Sequence, residues 1–124
     1  MEIAYVNVFV RDLGRAVAFY RDVLGLVPER ADPDHGYASF RAGPVQLGLA
    51  VPGAEQRGLV GGHTGVGFSV GNLELEHARL AALGVPFPMP PARQPWGGFM
   101  GLFADPDGNV FYLDEIAAAH GQAE

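Results

Sequence analysis

The sequence predicts an α+β fold built by tandem duplication, and three observations carry that prediction. Positions 5–13 read YVNVFVRDL and positions 65–73 read GVGFSVGNL, so that Val6/Val66, Val10/Val70 and Leu13/Leu73 coincide and Asp12 matches Asn72. Each segment alternates with the period of a strand, meets a polar N-cap and continues with apolar residues at helical spacing. The two helical stretches end in Leu24-Gly25-Leu26 and Leu83-Gly84-Val85, so the repeat slips by only one residue over its length. A duplicated half-barrel makes a cavity between its halves, and a cavity suggests a small-molecule site.

In the first strand, residues 3–10, Val6, Val8 and Val10 point one way and Tyr5, Asn7 and Phe9 the other. The valine row suits a helix-packed core; the polar and aromatic row suits a lined cavity. Asp12 caps a helix whose apolar stripe is Leu13, Ala16, Val17, Tyr20, Val23 and Leu24, and Gly25 ends it at C′. Residues 37–41 and 45–51 read as strands around a turn at 42–44. Residues 52–63 form a Gly-rich linker. In the second half, Val66, Phe68 and Val70 face the helix and Gly65, Gly67 and Ser69 the opposite side. Asn72 caps a helix carrying Leu73, His77, Leu80 and Leu83. Residues 86–95 hold too many prolines for a regular central strand. Residues 98–104 and 109–115 read as strands around Asp105-Pro106-Asp107-Gly108, whose carboxylates are expected to make turn hydrogen bonds. The tail beyond Ile116 is expected to fray. The chain reads as a single domain, 1–124, with module one at about 1–51, a linker at about 52–63 and module two at about 64–116.

Composition narrows the function classes. The absence of cysteine excludes disulfides, thiolate catalysis and cysteine-type zinc sites. A net charge of −6, from 14 acidic against 8 basic residues, with no basic patch, makes nucleic acid an unexpected partner. No apolar run approaches the roughly 18 residues of a membrane span. The opening residues lack the charged and apolar regions of a signal peptide, so a cytoplasmic protein without a membrane partner is expected.

A strand, then VRDLGRAVAFYRDVLGL, then PWG, then DPDGN and a closing aromatic strand resembles the vicinal-oxygen-chelate superfamily, that is, glyoxalase I, extradiol dioxygenases, fosfomycin-modifying enzymes and bleomycin-resistance proteins. The resemblance covers nearly the whole chain. It implies paired βαβββ modules with cupped mixed sheets around a cavity, and a homodimer; the linker would also permit exchange of halves between two chains. Enzymes of that superfamily hold a divalent metal with His, Glu or Gln side chains projecting from strands, leaving positions open for vicinal oxygens. Carried over position by position, the ligand places fall on Tyr5, Gly65, Gln46 and Tyr112. Such a set makes no ordinary divalent site, because neutral tyrosine binds metals poorly and glycine offers no donor. No metal or other cofactor is therefore expected. A displaced site from His63, Gln46 and Asp114 is the alternative.

The expected ligand-binding residues are Tyr5, Asn7, Phe9, Gln46, His63, Ser69 and Tyr112, with Phe40, Trp96, Phe99 and Met100 adding wall or rim. This is an amphipathic aromatic pocket without an evident nucleophile, and no catalytic residue is assigned. Gln94-Pro95-Trp96-Gly97 followed by Phe99 looks most like the metal-free, antibiotic-binding branch, whose role is stoichiometric sequestration. The alternatives are a metal-dependent lyase or dioxygenase using His63, a metal-free enzyme using Tyr5 or Tyr112, and an interaction domain with a vestigial cavity. His77 reads as a partly exposed helix residue, His35 and His120 lack a partner at ligand spacing, and Arg41 and Arg93 read as solvated.

Overall fold

A computed structural model of the chain describes residues 1–116, and the expected frayed tail with His120 lies outside the described residues. The chain forms two compact units. The first comprises Met1–Gly62 and, from far along the chain, Pro106–Asn109; the second comprises His63–Asp105 and the chain from Val110.

The first unit is a four-stranded mixed sheet with one helical layer. Strands β1 (Tyr5–Phe9), β2 (Val27–Asp32), β3 (Tyr37–Ala42) and β4 (Val45–Ala50) lie in the order β1-β4-β3-β2, with β1 parallel to β4 and the rest antiparallel. Helix α1 (Leu13–Ala18) packs on β3 and β4. Its Asp12 cap accepts the Arg15 amide at 2.9 Å. The helix then widens into a π turn, Phe19–Val23, in which Leu24 N–H reaches back to Phe19 O at 3.0 Å. Gly25 leaves the helix at φ 77°. This π turn is where the one-residue slip of the repeat resides: the corresponding helix of the second unit ends with an ordinary α-type bond from Leu83 N–H to Arg79 O.

Val8, Val10, Leu47 and Leu49 from the sheet pack with Ala16, Phe19 and Tyr20 from the helical layer. Phe40, expected on the pocket wall, belongs here instead. It pairs with Leu47 and therefore shares its face, and it is buried with its ring 6.2 Å from Tyr20. The linker is not featureless: Ala54–Leu59 form 3-10 turns and Val60 is buried.

The turn Pro106–Asn109 is built into this first unit, and its Asp107 does more than close a turn. The side chain is fully buried, and Oδ1 accepts the Arg11 amide at 3.2 Å, the Arg11 guanidinium at 3.2 Å and the Arg15 guanidinium at 2.9 Å. Beside it, Asn109 Nδ2 donates to Phe9 O at 2.9 Å and Asn109 Oδ1 accepts the Gly61 amide at 2.8 Å.

The second unit repeats the scheme with β5 (Gly62–Val70), α2 (Leu73–Ala82), β6 (Met89–Arg93), β7 (Phe99–Ala104) and β8 (Asn109–Glu115), in the sheet order β5-β8-β7-β6. β5 and β8 run the same way: Thr64 Oγ1 donates to Val110 O at 2.8 Å, and Ile116 N–H donates to Val70 O at 2.8 Å. Asn72 caps α2 by accepting the Leu75 amide at 3.0 Å, and Glu115 accepts the Leu73 amide at 3.0 Å. Phe68, Phe103 and Phe111 make an aromatic core with Leu73, Leu80 and Leu113. His77 sits edge-on to Phe87, their ring centres 4.5 Å apart.

β2 and β6 are the two strands that hydrophobic patterning does not reveal. Both carry proline, both lie at a sheet edge, and both are irregular, between Pro28 and Arg30 and between Met89 and Ala92. An edge strand tolerates a missing donor, and a bulge absorbs the break in alternation. Among the described residues no helix is long and apolar enough to cross a membrane.

Candidate functional site

The second unit contains a cavity of about 420 Å³, lined by Ser69 from the end of β5, Arg93 from β6, Phe99 from β7, Asp114 from β8 and the 94–98 loop. That loop is a turn in which Gly97 N–H donates to Gln94 O at 2.8 Å and Gln94 N–H to Gly98 O at 2.7 Å, with Gly97 at φ 97°. Pro95 occupies the turn position its fixed φ suits, and Trp96 is thrown outward with 72% of its surface exposed. A Cβ at residue 98 would stand 2.8 Å from the indole nitrogen, so a larger residue there would push the exposed ring aside. The Arg93 guanidinium lies over the Phe99 ring, 4.8 Å from its centre, and so is not simply a solvated charge. Met100 pairs with Asp114 and therefore shares the face that carries Asp114 and Tyr112, the side on which Asp114 lines the cavity.

His63 lies within β5, three residues before Val66, and its ring is 4.8 Å from that of Tyr112. Its Nδ1 accepts the Gly65 amide at 3.0 Å, which assigns the ring proton to Nε2. Gly65 itself stands at φ 74°. On the first unit, Tyr5 pairs with Gln46 and Asn7 with Gly48 across β1 and β4, so Tyr5, Asn7, Phe9, Gln46 and Gly48 share the face away from the helix. Tyr5 is 58% exposed. Tyr37, absent from the sequence-derived residue set, joins this face from β3, and its hydroxyl accepts from Gln46 Nε2 at 3.2 Å. The hairpin register could have revealed it: a two-residue loop at 43–44 pairs Arg41 with Gln46 and so puts Tyr37, Ser39 and Arg41 on the side of Gln46.

The electrostatics of these residues are local and mostly satisfied. Arg41 is ion-paired with Glu29 at 2.7 Å. Asp32 is bonded to His35 at 3.0 Å, and this hydrogen bond holds the Asp32 carboxyl below its ordinary range. Exposed pairs of this kind contribute little to stability.

The residues at the expected metal positions do not fit a divalent ion. Tyr5 and Gln46 present a phenol and a carboxamide, Gly65 has no side chain, and Tyr112 presents a second phenol. A metal-binding imidazole needs a free lone pair on its ligating nitrogen and a proton on the other. His63 has the reverse arrangement, with Nδ1 engaged by a backbone amide. Among the described residues no group of three His, Cys, Asp or Glu side chains gathers at metal-binding distance.

The sequence profile of the Glyoxalase/Bleomycin resistance protein/Dioxygenase superfamily matches residues 2–113. Among solved structures, a member of that superfamily from Sphaerobacter thermophilus DSM 20745 is 28% identical, with a TM-score of 0.81 over 94% of this chain and 98% of that one. A lactoylglutathione lyase from Agrobacterium tumefaciens is 26% identical, with a TM-score of 0.76 over 92% of each chain. TioX from Micromonospora sp. ML1, at 20% identity and a TM-score of 0.76 over 90% of this chain and 97% of that one, shares the fold. No curated protein matches the chain in sequence.

Proposed function

This chain belongs to the Glyoxalase/Bleomycin resistance protein/Dioxygenase superfamily, and from that premise we propose that it is a metal-independent small-molecule binding protein that sequesters an aromatic, antibiotic-like ligand. The observation that carries the reading is Trp96. Its indole stands 72% exposed at the rim of a cavity of about 420 Å³ whose wall includes the Phe99 ring. An aromatic pair of this kind supplies stacking area at low entropic cost, and Arg93 and Ser69 supply orienting donors. The unsuitable donors at Tyr5, Gln46, Gly65 and Tyr112 support the metal-independent part of the reading.

Trp96 is the only tryptophan of the chain, so its fluorescence reports the cavity directly. Titration with a panel of aromatic and quinone antibiotics is expected to give saturable quenching at one ligand per chain. Trp96→Ala is expected to weaken binding, followed by calorimetry, by about tenfold or more. Its melting temperature should stay within about 1 °C of the parent, because an exposed ring contributes little to folding. A lowered melting temperature with unchanged affinity would make Trp96 a loop anchor and remove the basis of the proposal.

The competing reading, a lyase or dioxygenase with a metal displaced to His63, Gln46 and Asp114, is tested by adding Zn, Ni, Mn or Fe(II) to chelator-treated protein. No thermal shift is expected. A specific metal at about a hundredfold excess over its dissociation constant would stabilise by about 2.7 kcal/mol, a rise of several degrees. A homodimer, with or without exchanged halves, is part of the proposal, and light scattering on the eluting protein decides the stoichiometry.

A further inference from the structure

We infer that the open face of the first unit is a hydrogen-bonding subsite for an uncharged ligand carrying a carbonyl next to an N–H, as in an amide or lactam. The inference rests on the binding reading above and specifies the polar part of the ligand. Its basis is the convergence of two side chains over Gly48. A Cβ at that position would lie 2.2 Å from Asn7 Oδ1 and 2.6 Å from the Tyr37 hydroxyl. A side chain there would displace both, so its absence at residue 48 lets two polar tips from flanking strands meet above bare backbone.

Their hydrogen-bonding capacity is partly open. Gln46 Nε2 donates to the Tyr37 oxygen, which orients the phenol and leaves its own proton to be donated elsewhere. Among the described residues neither that proton nor the Asn7 carboxamide has a protein partner. A carboxamide offers a donor and an acceptor whichever way it is turned. The phenol can therefore donate to a ligand carbonyl while Asn7 accepts from the neighbouring N–H. Tyr5, 58% exposed and paired with Gln46, supplies an aromatic surface alongside. Arg41, the cation paired in register with Gln46, is already held by Glu29, so this face offers its dipoles rather than that charge. The inferred subsite thus occupies the Tyr5–Gln46 pair to which the resemblance would assign metal donors.

The test is amide NMR on the full chain with 2-naphthamide as probe. N,N-dimethyl-2-naphthamide, which lacks the N–H, and 2-naphthoate, which is charged, serve as controls. The naphthamide is expected to shift the side-chain amide signals of Asn7 and Gln46. Removing one neutral hydrogen bond should weaken its binding about fivefold, both with the dimethyl control and in Tyr37→Phe. Asn7→Ala, at an exposed position, provides a second variant should Tyr37→Phe fail to fold. Equal or tighter binding of the naphthoate, or unchanged affinity in the variants, overturns the inference. Shifts confined to the Trp96 indole N–H overturn it while leaving the aromatic-cavity reading intact. No shift anywhere overturns both.

Discussion

Asp107→Ala is expected to lower the melting temperature by about 10 °C. The fully buried Asp107 side chain accepts one backbone amide and two guanidinium groups, from Arg11 and Arg15. Removing a buried acceptor from charged partners costs roughly 3–5 kcal/mol when those partners stay buried. Here both guanidinium groups are more than half exposed and can rehydrate, so the loss falls lower, at about 2–3 kcal/mol, most of it from the stranded Arg11 amide and the emptied volume. For a chain of this length each kcal/mol is worth about 3–5 °C. Asp107→Asn keeps the shape and one acceptor oxygen and should lose about half as much. Calorimetric melting of the two variants checks the magnitude, and the Arg11 amide resonance should move in both. An alanine variant that melts with the parent would mean that the turn holds the first unit without its carboxylate.

Phe111→Ala is expected to cost more, about 3–5 kcal/mol. The ring is fully buried, stacked on Phe103 at 5.4 Å and 25° and edge-on to Phe68 at 5.2 Å. It stands in the centre of β8, between β5 and β7, where neither neighbour can move inward to refill the space. That cost is a large fraction of the roughly 5–15 kcal/mol that holds an ordinary domain together. The variant should melt at least about 10 °C lower or fail to accumulate as folded protein, whereas Phe111→Leu, which restores most of the volume, should cost less than about 1.5–2 kcal/mol. Urea unfolding followed by near-ultraviolet dichroism reads both. A midpoint unchanged in Phe111→Ala would mean that the aromatic cluster is not the core of this unit.

The features legible in the sequence are those that depend on local chemistry alone. Asp12 and Asn72 cap their helices, Gly25 ends the first, and Val8 and Val10 of the valine row are buried, because capping oxygens, left-handed glycine and period-two alternation act within a few residues. β2 and β6 stayed hidden because Pro28, Pro90 and Pro91 remove donors and break alternation, leaving pairing to the neighbouring strand as the only cause of extension. The side taken by Phe40 is a matter of register: once Gly43-Pro44 form the loop, Phe40 pairs with Leu47 and is carried into the core. The candidate site was legible as a list of residue types and much less as geometry. Trp96 stands at a cavity rim with Phe99 in the wall and Met100 in register with Asp114, but Phe40 is carried into the core and Tyr37, which no residue pattern singles out, joins Gln46. The engagement of His63 by the Gly65 amide is a backbone effect that composition cannot carry.

The π turn at Phe19–Val23 also bears on how the two modules came to differ. One residue added to an α-helix rotates everything beyond it by about 100°, enough to swing an apolar stripe off its sheet. Widening a single turn cancels that rotation, so Asp12 upstream and Gly25 downstream keep the places that Asn72 and Gly84 hold in the other copy. The two strand–helix segments therefore differ by one residue while their helices enter and leave at equivalent points, and the widened turn is where the extra residue is absorbed.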